Sequence, residues 1–228
     1  MHDTTSLLYN LVTMAIISEN DRSALSELFK ESLIDPVNLV FFKSQSSQFG
    51  DDLEALLGEI AGLSEKITLE VHDLDSEKEK AEGFGLEYAP GITVVKDGKG
   101  YGVLFTGAPF GYEFTSLIEA IKMVSSGDTA LEDEVRDKLR AISKPVRIKV
   151  FVTPSCPYCP RAVIIAHKFA FESENIVGEM IEAQEFPEIS QLYNVYAVPK
   201  VVINETVEFE GALPEKQFLE YIMEAVGK

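Results

Sequence analysis

The feature that most constrains this chain is a repeat. Sliding the sequence against itself by 109 residues lays Pro36-Val37-Asn38-Leu39-Val40-Phe41-Phe42 over Pro145-Val146-Arg147-Ile148-Lys149-Val150-Phe151. Both are β-branched and aromatic runs behind a proline, the pattern of a strand. The same offset superposes Ser47 on Cys156, Gly50 on Cys159 and Pro90 on Pro199. Each of these last two prolines opens a further strand pattern, Gly91-Ile92-Thr93-Val94-Val95 and Lys200-Val201-Val202-Ile203-Asn204. An extra five residues around Lys96-Asp97-Gly98-Lys99-Gly100 lower the offset to 104, which pairs Gly107 with Gly211, Ala108 with Ala212 and Phe114 with Phe218. One offset that carries two strands and a proline through a single insertion implies duplication of one unit. The seam falls at Ser125-Ser126-Gly127-Asp128, giving units at 18–126 and 127–228 behind an N-terminal extension at 1–17.

The length of 228 residues suits two such units, of roughly 100–115 residues each. Each reads strand, site, helix, strand, helix, proline, hairpin, helix. In the second, Val163, Ala166 and Ala170 lie on one helical stripe, predicting a helix over 160–171. A strand over 177–183, a helix over 186–193, hairpin strands at 201–203 and 207–210, and a closing helix over 215–226 follow. An added first helix is predicted in each unit, over 21–32 and 131–142. A βαβ segment followed by ββα implies an α/β fold, with a mixed sheet in each unit flanked by helices.

Charge narrows the partners. With 38 acidic against 20 basic residues the net charge is −18, which opposes binding to nucleic acid or an anionic membrane. The apolar stretch at 7–17 contains Asn10 and Thr13 and follows Asp3. It is too short to span a bilayer and lacks the basic start and small-residue cleavage site of a signal peptide. A cytoplasmic location is expected.

Both cysteines of the chain lie in Cys156-Pro157-Tyr158-Cys159. A C-x-x-C can be half a zinc site, a structural disulfide or a redox dithiol. Zinc takes four ligands, and here no second C-x-x-C exists and His2, His72 and His167 are scattered. A structural bridge over two intervening residues would remove little chain entropy. The redox reading fits the context, since the motif follows a buried strand and opens a helix. Cys156 would then sit where unpaired N–H groups and the helix dipole stabilise a thiolate. Pro157 is tolerated in the first turn, Tyr158 forms an amphipathic wall, and Cys159 can attack a mixed disulfide to release product. No metal and no cofactor beyond the reversible Cys156–Cys159 disulfide is expected. Val198-Pro199, a proline between a helix and a strand, is a candidate cis peptide, which in folds of this kind presents backbone groups beside the dithiol; the alternative is an ordinary turn proline. The strand over 148–152 has no acid; Glu179 or Glu182 on the next strand could serve as the acid that moves the resolving thiol's proton, but they read first as solvated strand-end carboxylates, and His167 as a helix-face residue rather than a base.

Val150-Phe151-Val152-Thr153-Pro154-Ser155-Cys156-Pro157-Tyr158-Cys159-Pro160, with Ala197-Val198-Pro199-Lys200 and Phe209-Glu210-Gly211-Ala212, resembles the glutaredoxin-like protein disulfide oxidoreductases of thermophilic archaea and bacteria. The resemblance covers about residues 18–228. It implies two tandem thioredoxin-like units and dithiol–disulfide exchange with protein disulfides. It also implies Cys156 as the attacking thiol, Cys159 as the resolving thiol, a cis Pro199, and reduction by a thioredoxin-reductase-like partner. One departure matters most. The family typically carries a C-x-x-C in each unit, whereas the first unit here has Ser47-Gln48-Phe49-Gly50, so it cannot perform thiol chemistry. Ser47 has no evident base to make it a nucleophile. Two other functions compete: a glutathione-dependent glutaredoxin, which the Cys-Pro-Tyr-Cys sequence suits, and a non-catalytic scaffold that binds peptides.

Overall fold

A computed structural model describes residues 16–227. The chain runs α1 (Glu19–Ser32), β1 (Val37–Lys43), α2 (Gly50–Ala61), β2 (Ile67–Asp73), α3 (Lys78–Phe84), β3 (Gly91–Val95), β4 (Val103–Thr106), a 3₁₀ turn (Gly111–Glu113) and α4 (Phe114–Ser126). It continues through α5 (Asp133–Arg140), β5 (Val146–Val152), α6 (Cys159–Glu172), β6 (Ile176–Glu182), α7 (Pro187–Leu192), β7 (Lys200–Ile203), β8 (Val207–Glu210) and α8 (Glu215–Gly227).

The 109-residue offset survives in three dimensions. It relates the first residues of β1 and β5, α2 and α6, β2 and β6, α3 and α7, and β3 and β7. The predicted elements stand with ends shifted by a residue or two. Helix α6 begins at Cys159 and β6 at Ile176.

The mixed sheet expected in each half is present, and the two are continuous. Among the described residues, the eight strands form one mixed sheet in the order β2-β1-β3-β4-β6-β5-β7-β8. Strands β4 and β6 join the halves in parallel, Val103 opposite Gly178 through Thr106 opposite Ile181. The parallel pairs β1–β2, β4–β6 and β5–β6 run with their carboxyl ends at one end of the sheet. The segments following β1 and β5, which hold Ser47 and Cys156, therefore emerge at that same end.

Alternation sorts the side chains between two faces. One face bears the main core, continuous across both halves. It includes Phe29 of α1, Leu57 of α2, Phe105 of β4, Ile121 of α4, Val150 of β5, Phe169 of α6 and Phe218 of α8. The opposite face carries two smaller clusters. One packs Val40, Phe42 and Leu104 with Ala81 of α3, and the other packs Phe151, Ile181 and Val202 with Ile189 of α7.

Ile17, the last residue assigned to the extension, is buried. The N–H groups of Ile16 and Ile17 donate to the Glu59 carboxylate at 2.7 and 3.1 Å. The rest of that extension, residues 1–15, lies outside the described residues.

Candidate functional site: the Cys156–Cys159 pair

The loop between β5 and α6 is closed by a hydrogen bond from the Cys156 N–H to the Thr153 carbonyl, 3.1 Å. Tyr158 occupies the cap position without a side-chain cap, and Pro160 lies in the first turn, where its missing N–H costs nothing. Cys156 stands three residues before the helix proper and reaches the helix end through its sulfur. The Cys159 N–H donates to Cys156 Sγ at 3.2 Å. One of the four unpaired N–H groups of the helix end is thus directed at sulfur.

Cys156 and Cys159 are joined as a disulfide with Cα atoms 5.5 Å apart. The two sulfurs are not equivalent. Cys159 is fully buried, whereas Cys156 keeps 8% of its surface accessible. Pro157 and Tyr158 are exposed, Tyr158 at 72%. The Val198-Pro199 peptide is cis. The Val198 carbonyl oxygen lies 3.7 Å from Cys156 Sγ. The Pro199 carbonyl in turn accepts from the Gly211 N–H at 2.8 Å, which ties the proline loop to the end of β8.

The first half reproduces this frame without the sulfurs. Ala89-Pro90 is also cis, and the Pro90 carbonyl accepts from the Gly107 N–H at 2.8 Å. The Ser47 N–H donates to the Ser44 carbonyl at 3.1 Å, as Cys156 does to Thr153. Ser47 Oγ accepts from the Ser44 N–H at 3.1 Å and meets Ser44 Oγ at 3.3 Å. Both of these partners are serine groups, and neither is a base. Where Cys159 would be, Gly50 is buried.

A thioredoxin-domain family model matches residues 146–224. The protein disulfide oxidoreductase of Aeropyrum pernix K1 superposes with a TM-score of 0.86 and 32% identity, covering 92% of this chain and 94% of that one. The chain belongs to the thioredoxin-fold family. The alkylhydroperoxide reductase AhpF of Enterococcus faecalis, in a structure of its C503A mutant, superposes with a TM-score of 0.83 and 30% identity, over 90% of this chain and 98% of that one. A Bacillus subtilis protein named NADH dehydrogenase is 31% identical over 153 residues, covering 67% of this chain and 28% of the relative. The chain spans 28–31% of the length of the first curated relatives it matches.

The thioredoxin-fold site receives a contribution from the first half that its sequence did not signal. The Tyr112 N–H donates to the Pro154 carbonyl at 3.0 Å, two residues before Cys156. Gly111 makes this approach possible. It has φ +60, and a Cβ on it would stand 2.2 Å from the Pro154 oxygen, inside any tolerable contact. Next in the chain is Glu113, 1% exposed. Its Oε2 accepts from Ser116 Oγ at 2.6 Å, while Oε1 has no partner among the described residues. Burial pushes its carboxyl up to about 7. In the sequence, an acid three residues before a serine at the start of a helix reads as an exposed first-turn residue.

The carboxylates of β6 correct another expectation. Glu179 and Glu182 are not solvated but 1% and 3% exposed. Glu179 accepts from Arg147 Nε at 2.9 Å and from Thr106 Oγ1 at 2.7 Å, so both halves contribute to its pairing. Glu182 faces the other side and accepts from the Glu185 N–H at 2.6 Å; burial raises its carboxyl above the ordinary range. His167 is buried on α6 and donates from Nε2 to the Leu104 carbonyl of the first half at 3.1 Å. Desolvation lowers it to about 4, so it is a neutral tie between halves at ordinary pH. Among the described residues no cluster of three His, Cys, Asp or Glu side chains could hold a metal ion, and no helix is long and apolar enough to cross a membrane.

Proposed function

We propose that this protein is a protein thiol–disulfide oxidoreductase working through Cys156 and Cys159. The observation that carries the reading is the asymmetry of the pair. Cys156 keeps some accessible surface, with its Sγ lying between the Cys159 N–H and the Val198 carbonyl, while Cys159 is fully buried. Exchange requires a thiolate to approach along the axis of a disulfide, and only Cys156 presents such an approach from solvent.

In the reducing direction the Cys156 thiolate attacks one sulfur of a substrate disulfide. A Cys156–substrate mixed disulfide forms and the second substrate sulfur leaves as a thiolate, which takes up a proton. Cys159, having released its proton, attacks Cys156 Sγ. The Cys156–Cys159 disulfide forms and the first substrate sulfur leaves and is protonated. Two electrons and two protons pass from the dithiol to the substrate, and no other cofactor is needed. A thioredoxin-reductase-like flavoprotein or glutathione would return the pair to the dithiol. The Cys159 N–H stabilises negative charge on Cys156 during attack. Pro157 and Tyr158, together with Val198 and Pro199, frame the substrate segment. The likeness to the Aeropyrum pernix protein disulfide oxidoreductase, over 92% of this chain, supports this reading. The repeated frame supports assigning residues 18–126 and 127–228 as two thioredoxin-like units, the second reactive.

Reduction of insulin by dithiothreitol tests the proposal. The parent protein should accelerate precipitation of the insulin B chain, and Cys156→Ser should not. Equal acceleration by Cys156→Ser would overturn the assignment. Activity that requires glutathione would instead favour the glutaredoxin reading.

A further inference from the structure

Among the described residues, the tyrosines Tyr88, Tyr112, Tyr158 and Tyr196 are more than a third exposed, at 39, 53, 72 and 89%. Among the described residues they are the only aromatic side chains in the set of large exposed hydrophobics. All four lie at the carboxyl end of the parallel strands. Tyr158 is inside the dithiol motif. Tyr196 precedes the Val198-Pro199 cis peptide by two residues. Tyr112 is bonded through its backbone to Pro154 of the dithiol loop. Tyr88 precedes the cis Ala89-Pro90 bond, and its ring stands 5.7 Å from that of Phe186. Phe186 belongs to the second half and packs in the same small cluster as Val198, the residue whose carbonyl touches Cys156. Strands β3 and β5 are three spacings apart in the sheet, about 14 Å at roughly 4.8 Å each. Two of the four rings therefore come from the half with no thiols.

We propose that Tyr88 and Tyr112 form part of the docking surface for protein substrates, so that the cysteine-less half selects polypeptide disulfides over small ones. The inference rests on the exchange reaction at Cys156. The placement suits one occupant: a polypeptide disulfide at Cys156 Sγ carries flanking chain over the same end of the sheet, where these rings stand. Tyrosine is suited to this because it offers a large, rigid apolar face at little entropic cost and a hydroxyl that tolerates water when unbound. A small disulfide such as hydroxyethyl disulfide is too short to reach Tyr88 while its sulfur is at Cys156. The partner is thus a protein with apolar side chains beside its disulfide, and the net charge of −18 favours neutral or basic flanks.

The experiment compares single-turnover oxidation of the reduced full chain by insulin and by hydroxyethyl disulfide, read by acid quench and mass shift on alkylation. The combined Tyr88→Ser, Tyr112→Ser variant should lower the ratio of the insulin rate constant to the hydroxyethyl disulfide rate constant about tenfold. The Tyr88→Phe, Tyr112→Phe variant should restore it. An unchanged ratio in the serine variant, or an equal fall with both oxidants, would overturn the proposal. If the parent protein itself were oxidised by neither disulfide, the exchange reading would fail instead. Both tyrosines are exposed, and matched circular dichroism of the two variants verifies that folding is equal.

Discussion

The two halves share a frame and differ in what the frame holds. Each has a strand, a turn closed by an N–H to carbonyl bond, a helix, and a cis proline whose carbonyl is pinned by a glycine N–H. In the second half that frame positions two sulfurs, in the first a serine and a glycine. The comparison teaches that the scaffold is independent of the chemistry. Main-chain bonds and buried strands hold the loop in place, and they persist when the reactive atoms are absent. It also shows that the silent half is not inert, because Gly111 and Tyr112 reach the Pro154 carbonyl of the reactive loop.

The strongest test of this asymmetry exchanges the chemistry. On the proposed reading, Cys156→Ser removes the attacking sulfur and should reduce insulin-reductase activity by at least about a hundredfold. Ser47→Ala should leave it within about twofold. Equal losses would mean that the halves act as one site.

The next largest effect concerns the contact between halves. Gly111→Ala places a methyl group 2.2 Å from the Pro154 oxygen at a positive φ, so the turn must move. We expect a stability loss of about 3 kcal/mol in urea titration, with a fall in exchange rate because the Pro154 loop carries Cys156. A loss below about 1 kcal/mol would show that the contact is adjustable.

Protonation separates the halves by sign. Glu113, in the first, is raised from 4.5 to about 7 in the folded protein. The folded state then binds its proton more tightly than the unfolded chain. Its contribution is full below pH 4.5 and is lost as pH rises through 7, on the order of 3 kcal/mol. His167, in the second, is lowered from 6.5 to about 4. Its contribution is present above pH 6.5 and is lost as pH falls through 4, by a similar order. Glu113→Gln should flatten the alkaline side of the stability profile, and leave the acid side unchanged. Thermal unfolding between pH 4 and 8.5 reads both; an unchanged alkaline slope in Glu113→Gln would show that Glu113 ionises without cost.

The smallest effect is expected at the site without sulfurs. Ser47→Ala removes the acceptor for the Ser44 N–H, which should cost about 0.5–1.5 kcal/mol in urea titration. A larger value would point to a structural role for Ser47 beyond that single bond.

Much of this was legible from residue order alone. The offset between Pro36 and Pro145 and between Pro90 and Pro199 is a local pattern, and the elements it predicts follow from alternation and turn chemistry. The dithiol was equally plain, because only one pair of cysteines exists and it opens a helix. The single sheet was not legible. The pairing of β4 with β6 is decided by which edges meet, and each strand would read the same whether or not it had that neighbour. Buried acids were missed for a related reason. Glu179 reads as solvent-facing until Arg147 and Thr106 are seen beside it, and those partners lie 32 and 73 residues away. Glu113 is buried beside the turn whose Tyr112 N–H meets the Pro154 carbonyl, a contact without sequence periodicity.

The β4–β6 seam has a bearing on how the protein can be handled and how it could evolve. Parted from the other half, each would present a bare strand edge, Val103-Leu104-Phe105-Thr106 on one and Ile176-Val177-Gly178-Glu179-Met180-Ile181-Glu182 on the other. Such edges, with their unpaired N–H and carbonyl groups, recruit other chains. A fragment carrying the dithiol alone would tend to self-associate through β6. Loss of the first half would therefore endanger solubility before it touched chemistry, which gives a thiol-free copy a reason to be retained.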